Sequence, residues 1–216
     1  LMRIRPGLVA AAAADPCRSN QLSAAERRSN ILEAVGADPT AVAPVAGLGL
    51  ADATTALRRS YRRHLSAIMA SDVTAEDPLY VQPVISRMLS DLADAALEGA
   101  LAIARHEVEG SEHVRFAIIG MGKLGAQELN YVSDVDLIYV VEPADDGIDH
   151  QRLIRVGTKM GTLLQRVCMS VIMGCAEPAL WQIDGGLRPE GKDGPLVRTL
   201  DSHRHYYEKW AENWEF

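Results

Sequence analysis

Gly120-Met-Gly-Lys-Leu-Gly-Ala-Gln-Glu-Leu-Asn-Tyr-Val-Ser-Asp-Val-Asp-Leu-Ile-Tyr-Val-Val141 is the stretch on which the reading of this chain turns. Leu137–Val141 is an apolar run of strand length, and Asp134 and Asp136 stand at its mouth, spaced i, i+2. Side chains two apart on a strand project to the same side, which brings the two carboxylates close together. Anions held that close raise one another's pKa unless a cation lies between them. Hard carboxylate oxygens suit Mg²⁺. Just upstream, Gly120, Gly122 and Gly125 bracket Lys123 in a turn with the composition of a phosphate-holding loop. Together these are the needs of a metal-dependent nucleotidyl transferase.

A third carboxylate, Asp184, lies in Trp181-Gln-Ile-Asp-Gly-Gly-Leu-Arg-Pro-Glu-Gly191, at the end of a strand-like stretch. Divalent ions that clamp a phosphoryl centre need about three carboxylates, because each ion keeps some water and some phosphate oxygens. Asp134, Asp136 and Asp184 supply that set if the later strand pairs beside the earlier one. Arg188 offers a guanidinium fork for phosphate. Lys123, at the first turn of a short helix, adds a point charge to free backbone N–H groups. Ser133 can donate to a phosphate oxygen or cap the turn. Each residue taken singly also has a plainer reading. An Asp-x-Asp pair can be turn chemistry, Lys123 a surface lysine, and Asp184 a turn cap beside Gly185-Gly186. Arg188 can pair with Glu190 or Glu177, while His203 and His205 lack a partner at metal-ligand spacing. Their order along the chain is what favours the metal reading.

Outward from this centre, the rest of the chain sets bounds. Of 216 residues, 48% are hydrophobic and 24% charged, ordinary for a globular protein with a real core. The aromatic share of 5% and the many Ala and Leu residues lean toward helix. A formal charge of −7 disfavours a nucleic-acid partner, where affinity comes mainly from Lys and Arg. The three cysteines, Cys17, Cys168 and Cys175, form no Cys-x-x-Cys pair, which argues against disulfides and structural zinc and for a reducing, cytoplasmic setting. No apolar run reaches the roughly 18 residues of a membrane span. Val9–Ala14 after Arg3 and Arg5 mimics a signal peptide only faintly.

The periodicity predicts a loosely ordered segment over 1–20, a helix from the Ser23/Glu26 capping box to about Val35, and a loop over Gly36–Gly49. It then predicts a helix capped by Asp52 and running to about Ser71, with Leu57, Tyr61, Leu65 and Ile68 as its stripe. After a break at Asp77-Pro78 comes a helix over about Gln82–His106. Strands are predicted at Val114–Ile119, Asp134–Glu142 and Ala179–Leu187, and helices at Lys123–Leu129, His150–Met173 and Ser202–Glu215. The expected organisation is a loosely ordered segment with a short helix over 1–50, a helical layer over 51–110, and an α+β core over 111–216. Both ends read as cuts within something longer, so the core is expected to be truncated at its C-terminal end.

A rival reading uses the same glycines. Gly120-x-Gly122-x-x-Gly125 after a strand and before a helix is the dinucleotide-binding fingerprint, with Glu142 where a ribose-binding acid would sit. It leaves the Asp pair unexplained and requires a longer helix. A non-catalytic docking module is a third reading.

Three blocks resemble the bifunctional glutamine synthetase adenylyltransferase/adenylyl-removing family: Gly120–Ile138, Ile183–Arg198, and Tyr206-Tyr-Glu-Lys-Trp-Ala-Glu-Asn-Trp-Glu215. The resemblance covers roughly residues 52–216. It implies a polymerase-β-like nucleotidyltransferase sheet with Mg²⁺ held by Asp134, Asp136 and Asp184, and phosphate groups held near Gly122, Lys123, Ser133 and Arg188. It also implies glutamine synthetase as protein substrate, ATP, ADP and phosphate as small molecules, and a PII-type signal protein as a further partner, all in regulation of nitrogen assimilation. Glu128-Leu129-Asn130 and Val132 resemble the N-terminal, adenylyl-removing copy of that family; the C-terminal, transferring copy tends to carry Gly where Val132 stands.

Overall fold

In the computed structural model, residues 22–213 are described. The expectations for 1–20, including Val9–Ala14 and Cys17, and those for Trp214-Glu215-Phe216 lie outside that range.

Helix α1 (Ala24–Ala34) begins as its capping box dictates: Ser23 Oγ accepts from the Glu26 amide, and the Glu26 carboxylate accepts from the Ser23 amide at 2.7 Å. Its buried face carries Ile31 and Leu32. An irregular connection over 36–49 leads to α2 (Leu50–Val73). The expected cap there is corrected. Gly49 is the N-cap, and Asp52 lies inside the first turn, where its charge suits the helix dipole without a capping bond. Leu57, Tyr61 and Ile68 are buried as the stripe requires, with Leu65 packed at the margin.

Helix α3 (Pro78–Glu107) starts a turn before the expected Gln82. Asp77-Pro78 opens the helix instead of interrupting it, because the Asp77 carboxylate accepts from the amides of Leu79 and Tyr80, and Pro78 fills the first position, where no N–H is needed. Leu92, Ala96, Ala100 and Ile103 are fully buried, so α3 is the spine on which both α1 and α2 pack.

Strand β1 (Val114–Gly120) runs antiparallel to β2 (Val135–Pro143), in a register that pairs Phe116 with Val141 and Gly120 with Leu137. One helical turn, α4 (Gly122–Gly125), lies between them. On the other side of β2 lie β3 (Ile183–Asp184) and β4 (Val197–Arg198), both parallel to it. Helix α5 (His150–Met169) packs on this sheet through close glycine contacts, Gly157 against Val141 and Gly161 against Tyr139 and Phe116. Helix α6 (Leu200–Lys209) closes the described chain. One hydrophobic core runs from Ile31 in α1 to Val197 in β4.

The antiparallel β1–β2 pair overturns the dinucleotide-binding alternative, which needs a parallel crossover. Glu142 serves the helix that follows the sheet instead, since its Oε1 accepts from the Leu200 amide at 2.8 Å, at the start of α6. Other expected bounds also shift for identifiable reasons. β3 has two residues, not nine, because Arg62 takes the carbonyls of Pro178 and Ala179 and the Asp184 carboxylate takes the Gly186 amide. α5 ends at Met169, not Met173, where Ser170 turns extended and the Arg58 guanidinium takes the carbonyls of Val167 and Ser170. α4 stops at Gly125 and does not reach Leu129, since Gln127 adopts a left-handed φ of 58°. α6 spans Leu200–Lys209 in place of Ser202–Glu215. Among the described residues, no helix is long and apolar enough to cross a membrane.

Candidate metal centre

Asp136 is the second residue of β2, and in the parallel register its partner on β3 is Asp184. Asp134 immediately precedes the strand. One carboxylate oxygen from each of Asp134, Asp136 and Asp184 lies within 4.8 Å of the others. Asp134 is exposed while Asp136 and Asp184 are half-buried, and Asp134 and Asp184 line a cleft open to water. The pairing on which the three-carboxylate reading depends, a later strand beside the Asp-x-Asp strand, is therefore present.

The electrostatics are those of an anionic cluster that Lys123 compensates only in part. Burial raises the pKa of the Asp136 carboxyl most, the charges of Asp134 and Asp184 raise it further, and Lys123 pulls it back. Three hard oxygen donors converging on one point, with mutual repulsion that a divalent cation would relieve, fit Mg²⁺ by number and type of ligand.

The glycine turn is fitted to this cluster. Gly122 has a left-handed φ of 51°, and a Cβ there would run into Asp136 Oδ2. Gly125 approaches the Gly120 carbonyl so closely that its Cβ would stand 2.5 Å from that oxygen. Of the fingerprint glycines, Gly122 thus answers to packing against Asp136, and Gly125 to the tightness of the turn itself. Met121 N donates to the Asp136 carbonyl at 2.9 Å, which ties the turn to β2. Lys123 Nζ donates to Ser133 Oγ at 3.3 Å, so these two sequence-selected residues meet beside the Asp pair. With a single turn of helix behind it, Lys123 acts there as a side-chain charge; the helix-terminus contribution anticipated from the sequence is small.

Arg188 stands differently from its expected pose. It is half-buried in the loop after β3, and its guanidinium donates to the carbonyls of Gly185, Lys192 and Gly194. Neither of its anticipated acidic partners is engaged with it: Glu190 pairs with Arg198, and Glu177 pairs with Arg59 and Arg62. Cys168 is a fully buried thiol, with its pKa pushed up to about 12 by that burial, and Cys175 is half-buried. His203 is buried, its ring facing the Thr199 carbonyl.

The cleft has a volume of about 410 Å³, and its walls add Gln165, Gln182 and Lys192 to Asp134, Asp184 and Arg188. Nothing in the sequence singles out Gln165, which reaches the cleft from α5, or Gln182, which lies two residues before Asp184 but carries no motif of its own. Lys192 follows Arg188 closely, yet only the loop geometry brings this exposed residue to the cleft. Also unforeseen is the bracing from the helical layer. Tyr131 donates to Asp72 on α2 at 2.8 Å, and the Leu129 amide donates to Ser90 on α3 at 3.3 Å. Trp181 donates to Tyr61 at 3.1 Å. Both segments that deliver carboxylates to the centre are fastened to α2 or α3.

A small mixed sheet on a helical layer, with three carboxylates gathered across its central and neighbouring strands, defines an α+β protein with an acidic cluster of a kind that could hold a cation. The family model described as glutamate-ammonia ligase adenylyltransferase matches residues 11–216, and the chain belongs to that family. It is 73% identical over 216 residues to a bifunctional glutamine synthetase adenylyltransferase/adenylyl-removing enzyme of Bifidobacterium longum (strain DJO10A), covering 100% of this chain and 20% of that protein. Proteins of the same name from Cutibacterium acnes and Streptomyces avermitilis are 47% identical over 187 residues and 44% identical over 171 residues. These alignments take in 87% and 78% of this chain and 19% and 16% of those proteins. The chain thus spans about a fifth of the length of the curated relatives it matches. The similarity reaches back well before residue 52, where the resemblance read from the sequence motifs begins.

Proposed function

We propose that this chain carries a Mg²⁺-dependent nucleotidyltransferase centre that acts on glutamine synthetase, and that its direction is removal of AMP from an adenylylated tyrosine by phosphorolysis. The observation that carries the reading is the convergence of Asp134, Asp136 and Asp184 within 4.8 Å on adjoining strands. The relatives' name supports the substrate, and Glu128-Leu129-Asn130 with Val132 supports the removing direction. The sheet is read as a polymerase-β-like arrangement, with residues 51–110 as its helical support, 111–216 as its catalytic core and 1–50 as a leading segment whose short helix, α1, packs on that support. The setting is cytoplasmic, with a PII-type signal protein as a regulatory partner.

In the reaction, an oxygen of inorganic phosphate bonds to the phosphorus of the tyrosyl-AMP diester while the bond from that phosphorus to the tyrosyl oxygen breaks. The products are ADP and the unmodified tyrosine side chain of the synthetase. Asp134, Asp136 and Asp184 hold the divalent cation, which when bound supplies charge neutralisation at the phosphoryl oxygens. Lys123 and Ser133, already in contact, present a cation and a hydroxyl at the edge of the cleft to orient phosphate. Gly122, having no Cβ, leaves free the space that the Asp136 carboxylate needs. Tyrosinate leaves with a pKa near 10, so no dedicated general acid is required.

The test is incubation with adenylylated glutamine synthetase, Mg²⁺ and phosphate, following ADP release and loss of the AMP mass. ADP formation is the expected result. Pyrophosphate release from ATP and unmodified synthetase, with no ADP in the first assay, would reverse the direction. Stable binding to the synthetase without turnover in either assay would leave a docking role in place of an enzymatic one.

A further inference from the structure

We propose that Lys192 is the cation that meets phosphoryl oxygens on the β3 side of the acidic cleft, and that Arg188 is the positioning residue that presents it. This assignment rests on the reading of the cleft as a phosphoryl-transfer centre. Arg188 is the residue whose chemistry invites a phosphate role, but its donors are already occupied. Nη1 donates to the Gly185 carbonyl at 2.7 Å and Nε to the Gly194 carbonyl at 3.2 Å. Nη2 donates to the carbonyls of Lys192 at 3.0 Å and Gly194 at 3.2 Å. A guanidinium has five N–H donors in a fixed fork, so these bonds leave no free pair for a bidentate phosphate contact.

What those bonds do is fold the loop after Asp184 back on itself. Glu190 and Gly191 are both left-handed, with φ of 64° and 57°, and the Gly191 amide donates to the Arg188 carbonyl at 2.8 Å. A Cβ on Gly194 would collide with the Pro189 carbonyl, so the loop closes tightly around the guanidinium. The result places Lys192 in the wall of the cleft with Asp134 and Asp184. Of the two acids that flank Lys192 in this loop, Glu190 and Asp193, the first is taken by Arg198. Among the described residues, no hydrogen bond or ion pair engages the Lys192 ammonium. Lys123 acts on Asp136 from the glycine turn, and Lys192 lines the cleft with Asp134 and Asp184, so each of the two strands that carry the carboxylates has a lysine beside it to meet a polyphosphate's oxygens.

The experiment measures ADP binding by titration calorimetry in the presence of Mn²⁺, with Mn²⁺ affinity followed separately by its paramagnetic resonance signal. Lys192→Gln is expected to weaken ADP binding roughly ten- to a hundred-fold, the range for one charge-assisted hydrogen bond, and to leave Mn²⁺ affinity unchanged. Lys192→Arg should restore most of the loss. Arg188→Gln should weaken ADP binding as well and should speed amide exchange at Gly191 and Gly194. The double variant Arg188→Gln/Lys192→Gln should then bind ADP no worse than Lys192→Gln alone, because Arg188 acts through Lys192. Additive losses in the double variant, or ADP affinity within twofold of the parent in Lys192→Gln, would overturn the assignment while leaving the metal centre standing. Absence of Mn²⁺ binding in the parent chain, unchanged by Asp136→Asn, would instead bring down the site reading and this assignment with it.

Discussion

Gly122 and Asp136 form one unit, and substitutions at each should be separable by what they spare. At Gly122 a side chain meets two obstacles, a φ of 51° and the Asp136 carboxylate in the space a Cβ needs. Gly122→Ala should therefore cost about 1–3 kcal/mol of backbone strain and displace Asp136, cutting divalent-cation affinity at least tenfold. Asp136→Asn keeps the shape and removes the charge. Its expected outcome is loss of phosphorolysis and of cation binding with no loss of thermal stability, because burial and two neighbouring carboxylates already disfavour the charged form of Asp136. Wild-type-like turnover of that variant with Mg²⁺ present would remove Asp136 from the metal assignment. Ionised Asp136 is also the form that binds a cation, so cation affinity should fall as pH is lowered, and at a higher pH than for an unperturbed aspartate.

Among the elements, α2 has an effect on the site out of proportion to its distance. Arg58, fully buried on this helix, donates to the carbonyls of Val167, Ser170 and Glu177, and Arg62 takes those of Pro178 and Ala179. These bonds finish α5 and fix the path of the segment that becomes β3. Arg58→Met keeps much of the volume but strands three carbonyls, two of them at the C-terminal end of α5. A destabilisation of about 3 kcal/mol is expected in chemical denaturation, at the upper end of the cost of buried unsatisfied groups. If the unfolding midpoint of Arg58→Met matches that of the parent, the guanidinium is not what terminates α5. The same logic explains why β3 is short: its flanking carbonyls and amides are taken by side chains before a ladder can form.

For the whole molecule, the pH dependence of stability should carry the mark of the helical layer. His64 on α2 is buried, and its pKa is lowered to about 4 by that burial, with the charges of Arg27 and Arg63 adding to the effect. Its folded pKa lies below its unfolded value, so the neutral ring belongs to the fold. The contribution is intact above about pH 6.5 and is lost as pH falls toward 4. It amounts to about 3 kcal/mol at full protonation. Asp94 on α3 works in the opposite sense: burial first, then the Asp91 charge, raises its pKa to about 6, so protonation below that pH favours the fold. The two effects oppose each other between pH 6 and 4, and the net curve alone does not resolve them. Comparing His64→Asn with the parent across pH 4–7 does. The difference between the two should shrink as pH falls, and a constant difference would mean that His64 titrates normally in the fold.

The chemistry and most of the elements are written in the chain itself. The i, i+2 acids ahead of an apolar run, the glycine turn with its lysine, and the later Ile183-Asp184-Gly-Gly-Leu-Arg-Pro block are readable because each is local, and local spacing sets direction on a strand or turn. The helices are readable for the same reason, from 3.6-residue periodicity and from capping at Ser23. Folding in three dimensions was needed to show that β1 and β2 are antiparallel, which excludes the dinucleotide fold, and that Asp184 stands in register with Asp136. It also turned Arg188 onto its own loop, gave Glu142 to the start of α6, and brought Gln165, Gln182 and Lys192 to the cleft. Strand pairing and the partners of long polar side chains are set by contacts between residues far apart in the chain, and a pattern read along one segment holds no information about what will face it.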